Sequence, residues 1–157
     1  MKLAVEPLAS EAFADFGTVV RAPAELARIV FPGALGSLRP DARATLSASR
    51  ALPRMLPLTA TVMERHRCST QTFLPLDVAR YVVLVAPHAT AGMPDMKRAR
   101  AFLVAGDTGI SYRADAWHHP MIVLDRPGCF AVVLWRDGTA ADIETITLDE
   151  PVEIGAA

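Results

Sequence analysis

Basic residues are not in excess in this chain: 16 Lys and Arg stand against 17 Asp and Glu, a formal net charge of −1. A surface that neutralises a phosphate backbone needs a clear positive surplus, so nucleic acid is set aside as a partner. Long apolar runs are missing as well. The stretches Tyr81 to Pro87, Met121 to Leu124 and Cys129 to Trp135 fall far short of the roughly 20 residues that cross a bilayer. The opening Met1 to Pro7 has no signal-peptide apolar core, so a cytoplasmic location and no membrane partner are expected. There are only two cysteines, Cys68 and Cys129, and their spacing suits neither a metal nor a redox pair, which fits free thiols in a reducing compartment. Internal repeats and low-complexity tracts are absent.

What remains is a composition for a packed core: 52% hydrophobic and 21% charged residues over 157 positions, which excludes disorder and suits one domain spanning 1–157. Helix signals are scarce. Ser10 has the chemistry of an N-cap, Phe13 and Phe16 lie three apart, and Gly17 follows, which predicts one short helix. Pro23 to Arg28 could hold a further turn, and Phe31 to Asp41, with two prolines and two glycines, reads as loop. From Arg43 onward, short strands recur between turn residues. They are expected over Leu58 to His66, Arg80 to Ala86, Ala101 to Val104, Ile110 to Tyr112, Trp117 to Leu124, Cys129 to Trp135 and Ile143 to Leu148, after an edge strand at Leu3 to Val5 and a strand at Thr18 to Val20. The class this predicts is all-β, an antiparallel sandwich or barrel.

Two stretches carry chemistry. In the first, strict alternation puts Leu58, Ala60, Val62, Glu64 and His66 on one strand face, with Gln71 five residues on. An apolar face that ends in a carboxylate and an imidazole is costly unless those groups are paired or hold something. In the second, Trp117-His118-His119-Pro120 begins an apolar run. His118 shares its parity with Ile122 and Leu124, and His119 with Met121, Val123 and Asp125, so His118 is expected to face the cavity and His119 to pack behind. Plainer readings stand beside these. Glu64 could pair with an arginine, Gln71 could satisfy a buried backbone group, Arg50 could be a solvated strand end, and Tyr112 and Trp117 could be wall.

Glu64, His66, Gln71 and His118 fall on the spacing of the four ligand positions of the cupin superfamily, which they resemble. The resemblance narrows through Arg50-Ala-Leu-Pro-Arg-Met-Leu-Pro-Leu58, Met63-Glu-Arg-His66, Thr70-Gln-Thr-Phe-Leu-Pro-Leu76, Arg100-Ala-Phe-Leu103, Gly109-Ile-Ser-Tyr112 and Trp117-His-His-Pro120. These motifs are similar to those of the ureidoglycolate lyase family over about residues 45 to 135. The resemblance implies a cupin-like double-stranded β-helix, an antiparallel barrel with one short N-terminal helix. It also implies a homodimer and the cleavage of ureidoglycolate to glyoxylate and urea in allantoin breakdown. A divalent ion such as nickel would be its cofactor. With Glu64 and Gln71 in ligand positions, and Gln a poor ligand for most divalent ions, weak occupancy is expected.

Ureidoglycolate is a carbinolamide acid, so its cleavage needs a base for the hydroxyl, an acid for the leaving nitrogen and a partner for the carboxylate. On this reading His118 is the base and Glu64 or His66 the acid or a metal ligand. Arg50 clamps the carboxylate, and Gln71, Tyr112 and Trp117 contact substrate. The competing expectations are a cupin that binds a small acid without turning it over, and a cupin enzyme acting on another hydroxy acid or sugar acid. The segment 31–43, with no histidine before His66, leaves room for either.

Overall fold

The structure, a computed structural model, is described for residues 1–156. In chain order its elements are β1 (Lys2–Pro7), α1 (Ser10–Phe13), β2 (Gly17–Arg21), β3 (Arg43–Ala51), β4 (Leu58–His66), β5 (Gln71–Asp77), β6 (Arg80–Ala86), a 3₁₀ turn (Met96–Arg98), β7 (Arg100–Ala105), β8 (Thr108–Tyr112), β9 (Trp117–His118), β10 (Ile122–Leu124), β11 (Gly128–Arg136) and β12 (Ile143–Gly155). The expected all-β class with one short helix is what forms. No helix among the described residues is long and apolar enough to cross a membrane.

The strands make two sheets. Five strands run β2-β8-β5-β11-β3, and seven run β10-β6-β7-β1-β12-β4-β9. The larger sheet closes on itself, because β9 pairs with β4 at one end of the order and with β6 near the other. The barrel is mixed rather than wholly antiparallel. β1, expected at an edge, lies between β12 and β7 and runs parallel to both. Pro120 ends β9 after two residues, so Trp117 to Leu124 forms two short strands instead of one.

β6 explains the packing. Its run Tyr81-Val-Val-Leu-Val-Ala86 is buried on both faces, as a continuous apolar strand must be. Tyr81, Val83 and Val85 point into a cluster between the sheets with Phe13, Phe102, Ile110, Tyr112 and Phe130. Val82, Leu84 and Ala86 point the other way, into a cluster inside the closed ring with Ala60, Met63, Ala101, Trp117 and Ile154.

Alternation along β4 breaks where the sequence pattern did not foretell it. Leu58 and Ala60 pack in the ring, and so does Met63, although simple parity sets Met63 opposite to them. The cause is a register shift on the partner strand: Val62 faces Thr147 but Ala60 faces Val152. β12 advances five positions there while β4 advances two, so three extra residues bulge out and re-aim β4. Beyond the shift Glu64 and His66 share a face of their own, opposite to Met63.

Two local readings need correction. Ser10 is the first residue of α1 rather than its cap; the N-cap is Ala9, without a side-chain cap bond. Gly17 opens β2 instead of closing the helix, and 22–31 forms no helical turn. The glycine is required by proximity: a Cβ at position 17 would lie 2.0 Å from the Ser111 carbonyl oxygen. Gly17→Ala is therefore expected to lower stability by about 2 kcal/mol or more, a fall in Tm on the order of 5 °C, because backbone rather than a flexible side chain must move. A Tm within about 1 °C of the parent would refute the close approach.

Candidate functional site

At one end of the inter-sheet space lies an open cavity of about 310 Å³, lined by Arg39, Glu64, His66, Gln71, Trp135, Arg136 and Asp142 among others. Glu64 lines it from β4, and His118, its directly opposed cross-strand partner on β9, stands behind Glu64. His66 follows Glu64 by two along β4. Gln71 starts β5 opposite Tyr112 on β8, so those two side chains share a face. Arg39 arrives from the long loop. Leu38 N–H donates to the Cys68 carbonyl, Thr70 N–H donates to the Gly36 carbonyl, and Ser111 hydroxyl donates to the Ala34 carbonyl, which lays residues 34–39 across the start of β5 and the end of β8.

The carboxylate of Glu64 and the imidazoles of His66 and His118 present ligand atoms all within 4.8 Å of one another. Tyr112 stacks on His118 with ring centroids 4.0 Å apart and 14° between planes. The His118 Nδ1 lies 2.8 Å from the Ala116 carbonyl oxygen, which can only accept, so Nδ1 carries a proton. Its Nε2 then points toward Glu64 Oε1 at 3.4 Å. A lone pair facing a carboxylate at that distance is repulsive unless a proton or a cation lies between them.

Orphaned atoms mark the same place. Among the described residues, the buried side-chain nitrogens and oxygens without a partner are Arg39 Nε, His66 Nε2, Gln71 Oε1, Tyr112 Oη and His118 Nε2. Buried polar groups rarely go unpaired; Arg39, His66 and Gln71 line the cavity, with Tyr112 opposite Gln71 and His118 opposite Glu64 behind them, a grouping that indicates a space built for something polar. Acceptors from a carboxylate, two imidazoles and an amide also suit a divalent ion of borderline softness.

The charge states follow from the surroundings. Burial pushes the Glu64 carboxyl up, but the imidazoles that face it, His118 foremost and then His66 and His119, outweigh this and hold it below its ordinary value. His66 is held below its usual value by burial first and by the charge of His118 second, against the pull of Asp142 and Glu64. His119 is lowered chiefly by burial. The Tyr112 hydroxyl is raised well above its ordinary range by burial and stays protonated.

The structure brings Glu64, His66, Gln71, Tyr112 and His118 together, and His119 turns away, with Nδ1 2.6 Å from the Pro120 carbonyl oxygen. It does not bring Arg50 or Trp117 to the cavity. Arg50 is exposed on β3, pairs with Asp77 at 3.7 Å and lies opposite Cys129, at the far end of β11 from the cavity. Trp117 is fully buried inside the ring, because neighbours on a strand face opposite ways. Its indole N–H donates to the Gly92 carbonyl, and the Arg65 guanidinium lies 4.5 Å from its ring centroid. Arg39, Arg136 and Asp142 escaped the sequence reading. The signals present were the Arg39-Pro-Asp41 loop and the Asp137-Gly138 turn before β12, which resemble ordinary surface punctuation.

The chain matches the sequence profile described as Ureidoglycolate lyase over residues 1–155. A protein named ureidoglycolate lyase from Brucella melitensis biotype 2 is 35% identical over 140 residues, covering 83% of this chain and 81% of that protein. One of the same name from Escherichia coli O1:K1 / APEC is 33% identical, covering 96% of this chain and 98% of the relative. The chain belongs to the ureidoglycolate lyase family. The expectation built on the Met63-to-His66 and Trp117-to-Pro120 motifs is met at the level of the family, and those motifs supply the three clustered ligand groups.

Linkage makes the buried histidines visible in stability. His66 and His119 have folded pKa values below the unfolded value of 6.5, so the unfolded chain takes up protons first as pH falls. Their contribution is complete above about pH 6.5 and is lost as pH drops through the folded values. The lowered carboxyl of Glu64 adds a further loss below its unfolded value of 4.5. Tm should therefore decline between about pH 7 and pH 5, and His119→Asn should flatten part of that slope. A parent Tm constant across this window would contradict the burial of neutral imidazoles.

Proposed function

We propose that this chain cleaves ureidoglycolate to glyoxylate and urea, as a lyase of allantoin breakdown. The observation that carries the reading is the His118 ring. Its Nδ1 proton is committed to the Ala116 carbonyl, so Nε2 is left as a base beside Glu64 at the cavity. Family membership and the names of the relatives supply the substrate. The reading includes a homodimer in the cytoplasm. Exposed Leu46 on β3 and Leu76 on β5, both in the smaller sheet, fit a subunit contact.

The reaction moves one proton from the substrate hydroxyl to the leaving nitrogen. His118 Nε2 takes the hydroxyl proton, and the oxygen lone pair forms the aldehyde carbonyl as the carbon–nitrogen bond breaks. The bonding pair goes to the ureido nitrogen, which needs that proton. Glu64 is ionised and His66 neutral, so neither arrives with a proton to give. Protonated His118 returns it, held meanwhile by the Glu64 carboxylate 3.4 Å away. His66 Nε2, Gln71 Oε1 and the Tyr112 hydroxyl are the unpaired groups that can orient the hydroxyl and the ureido amide. A divalent ion such as nickel would be held by Glu64, His66 and Gln71, with His118 joining them only where its Nε2 lone pair is not serving as the base, and would supply Lewis acidity; with Gln in the set, occupancy is expected to be weak.

The carboxylate partner in this reading is Arg136, not Arg50. Arg136 lines the cavity, is exposed, and makes no ion pair among the described residues. Arg39 is committed to Asp137 and to the Trp135 carbonyl, and offers only its Nε–H.

Two measurements test the proposal. Purified protein should release urea from ureidoglycolate, and His118→Asn should lower turnover by about two orders of magnitude or more with the fold retained. No release above the uncatalysed rate, with or without added nickel, would sink the lyase reading and favour a small-acid-binding cupin or another substrate. Arg136→Ala should raise KM about tenfold or more with a smaller change in kcat, the loss of one charge-assisted contact, whereas Arg50→Ala should leave both within about twofold. The reverse pattern would return the clamp to Arg50.

A further inference from the structure

Asp142, the residue just before β12, is the one carboxylate beside the cavity that the proposed proton path does not use. Its side chain is 7% exposed, nearly all of its acceptor capacity is spoken for, and the partners divide by oxygen. Oδ1 accepts from the Cys68 backbone N–H at 2.7 Å. Oδ2 accepts from the Ser69 hydroxyl, lies 3.6 Å from Arg39 Nη2, and lies 3.5 Å from His66 Nδ1. The carbonyl of Asp142 accepts in turn from the Arg67 N–H, so the whole residue is tied to the segment that follows His66.

We infer that Asp142 is a positioning residue that fixes His66 as the Nδ1–H tautomer and so keeps its Nε2 lone pair turned to the cavity. An ionised carboxylate cannot donate. Facing Nδ1, it selects the imidazole form that carries its proton there. The unpartnered Nε2 is then an acceptor rather than an N–H, one of a set of lone pairs from Glu64, His118 and Gln71 that converge on a space a proton donor or a cation would fill. Ser69 and the Cys68 N–H hold the carboxylate in place. Arg39, touching the same Oδ2, balances its charge without competing for an acceptor site on His66.

The substitution Asp142→Asn separates this from a merely structural role, because the Cys68 N–H decides how the amide must sit. Oδ1 has to remain the acceptor for that N–H, so the amide nitrogen takes the place of Oδ2 and donates to His66 Nδ1. His66 is forced into the Nε2–H tautomer, with a proton where the lone pair had been.

The test is long-range proton–nitrogen NMR on ¹⁵N-labelled protein at about pH 8, where a histidine held at or below its ordinary pKa is neutral. In the parent, His66 should show Nδ1 protonated and Nε2 bare. Asp142→Asn should reverse the two, and Ser69→Ala should leave the parent pattern. A parent already in the Nε2–H form overturns the inference, as does an Asp142→Asn protein that keeps the Nδ1–H form; the parent spectrum alone decides if the variant does not fold. The consequence for turnover rests on the lyase reading. There, Asp142→Asn should lower kcat about tenfold to a hundredfold with KM changed far less. A reversed tautomer with unchanged kcat upholds the positioning role and removes His66 from the reaction.

Discussion

The shortest strand of the protein sets the conditions for the rest. β9 is two residues long, and it pairs with β4 through Glu64 and His118 and with β6 through Val85 and Ala86. Without that double pairing the seven-stranded sheet would be open, with β4 and β6 offering unpaired edges. Strand alternation then assigns the two residues to different tasks. Trp117 fills the ring, and His118 faces the space between the sheets. Closure of the barrel and placement of His118 are one event, so the barrel cannot loosen there without moving the imidazole.

The polar end of the inter-sheet space is held from behind by an arrangement of the opposite kind. Glu64, His66 and His118 have few neighbours that satisfy them, whereas Arg65, on the reverse face of β4, is over-provided. It pairs with Glu144 at 2.8 Å and Asp115 at 3.1 Å, donates to the Gly92 carbonyl and covers Trp117. A buried arginine with that many acceptors is a rigid bolt through β4, β12 and the loop before β9. Rigidity on that face is what allows unpaired atoms to persist on the other, where each would otherwise find a partner by a small shift of backbone.

Much of this was legible in the sequence, and the reasons are local. Period-two alternation, as along Leu58 to His66, and short apolar runs between turn residues marked the strands, because a half-buried strand has to alternate. The two motifs Met63-Glu-Arg-His66 and Trp117-His-His-Pro120 could be read because each places its groups on one short element. Three features could not be read that way. The face switch in β4 is caused by residues 148–151 of β12, about 90 positions away in the chain. Arg39 reaches the cavity only because residues 34–39 are pinned to β5 and β8 by backbone bonds that no pattern announces. Arg50 sits within a family-like motif and on a strand, so sequence placed it near the chemistry; the register of β3 on β11 instead sets it opposite Cys129, the end of β11 away from the cavity.

The placement of Asp142 shows how the same physics joins the unreadable part to the readable one. It stands at the start of β12, the strand that pairs with β4 from Ile143 opposite His66 onward. The register that puts Ile143 beside His66 also puts the preceding residue just beyond the strand end, where its side chain can turn back to the imidazole while its carbonyl caps the chain leaving β4. A one-residue slip of β12 would move that carboxylate to the other face and leave His66 free to choose its tautomer. The bulge at residues 148–151 of β12 absorbs the mismatch between the two halves of the strand. The half that packs the ring and the half that serves the cavity can then each keep the register their side chains require.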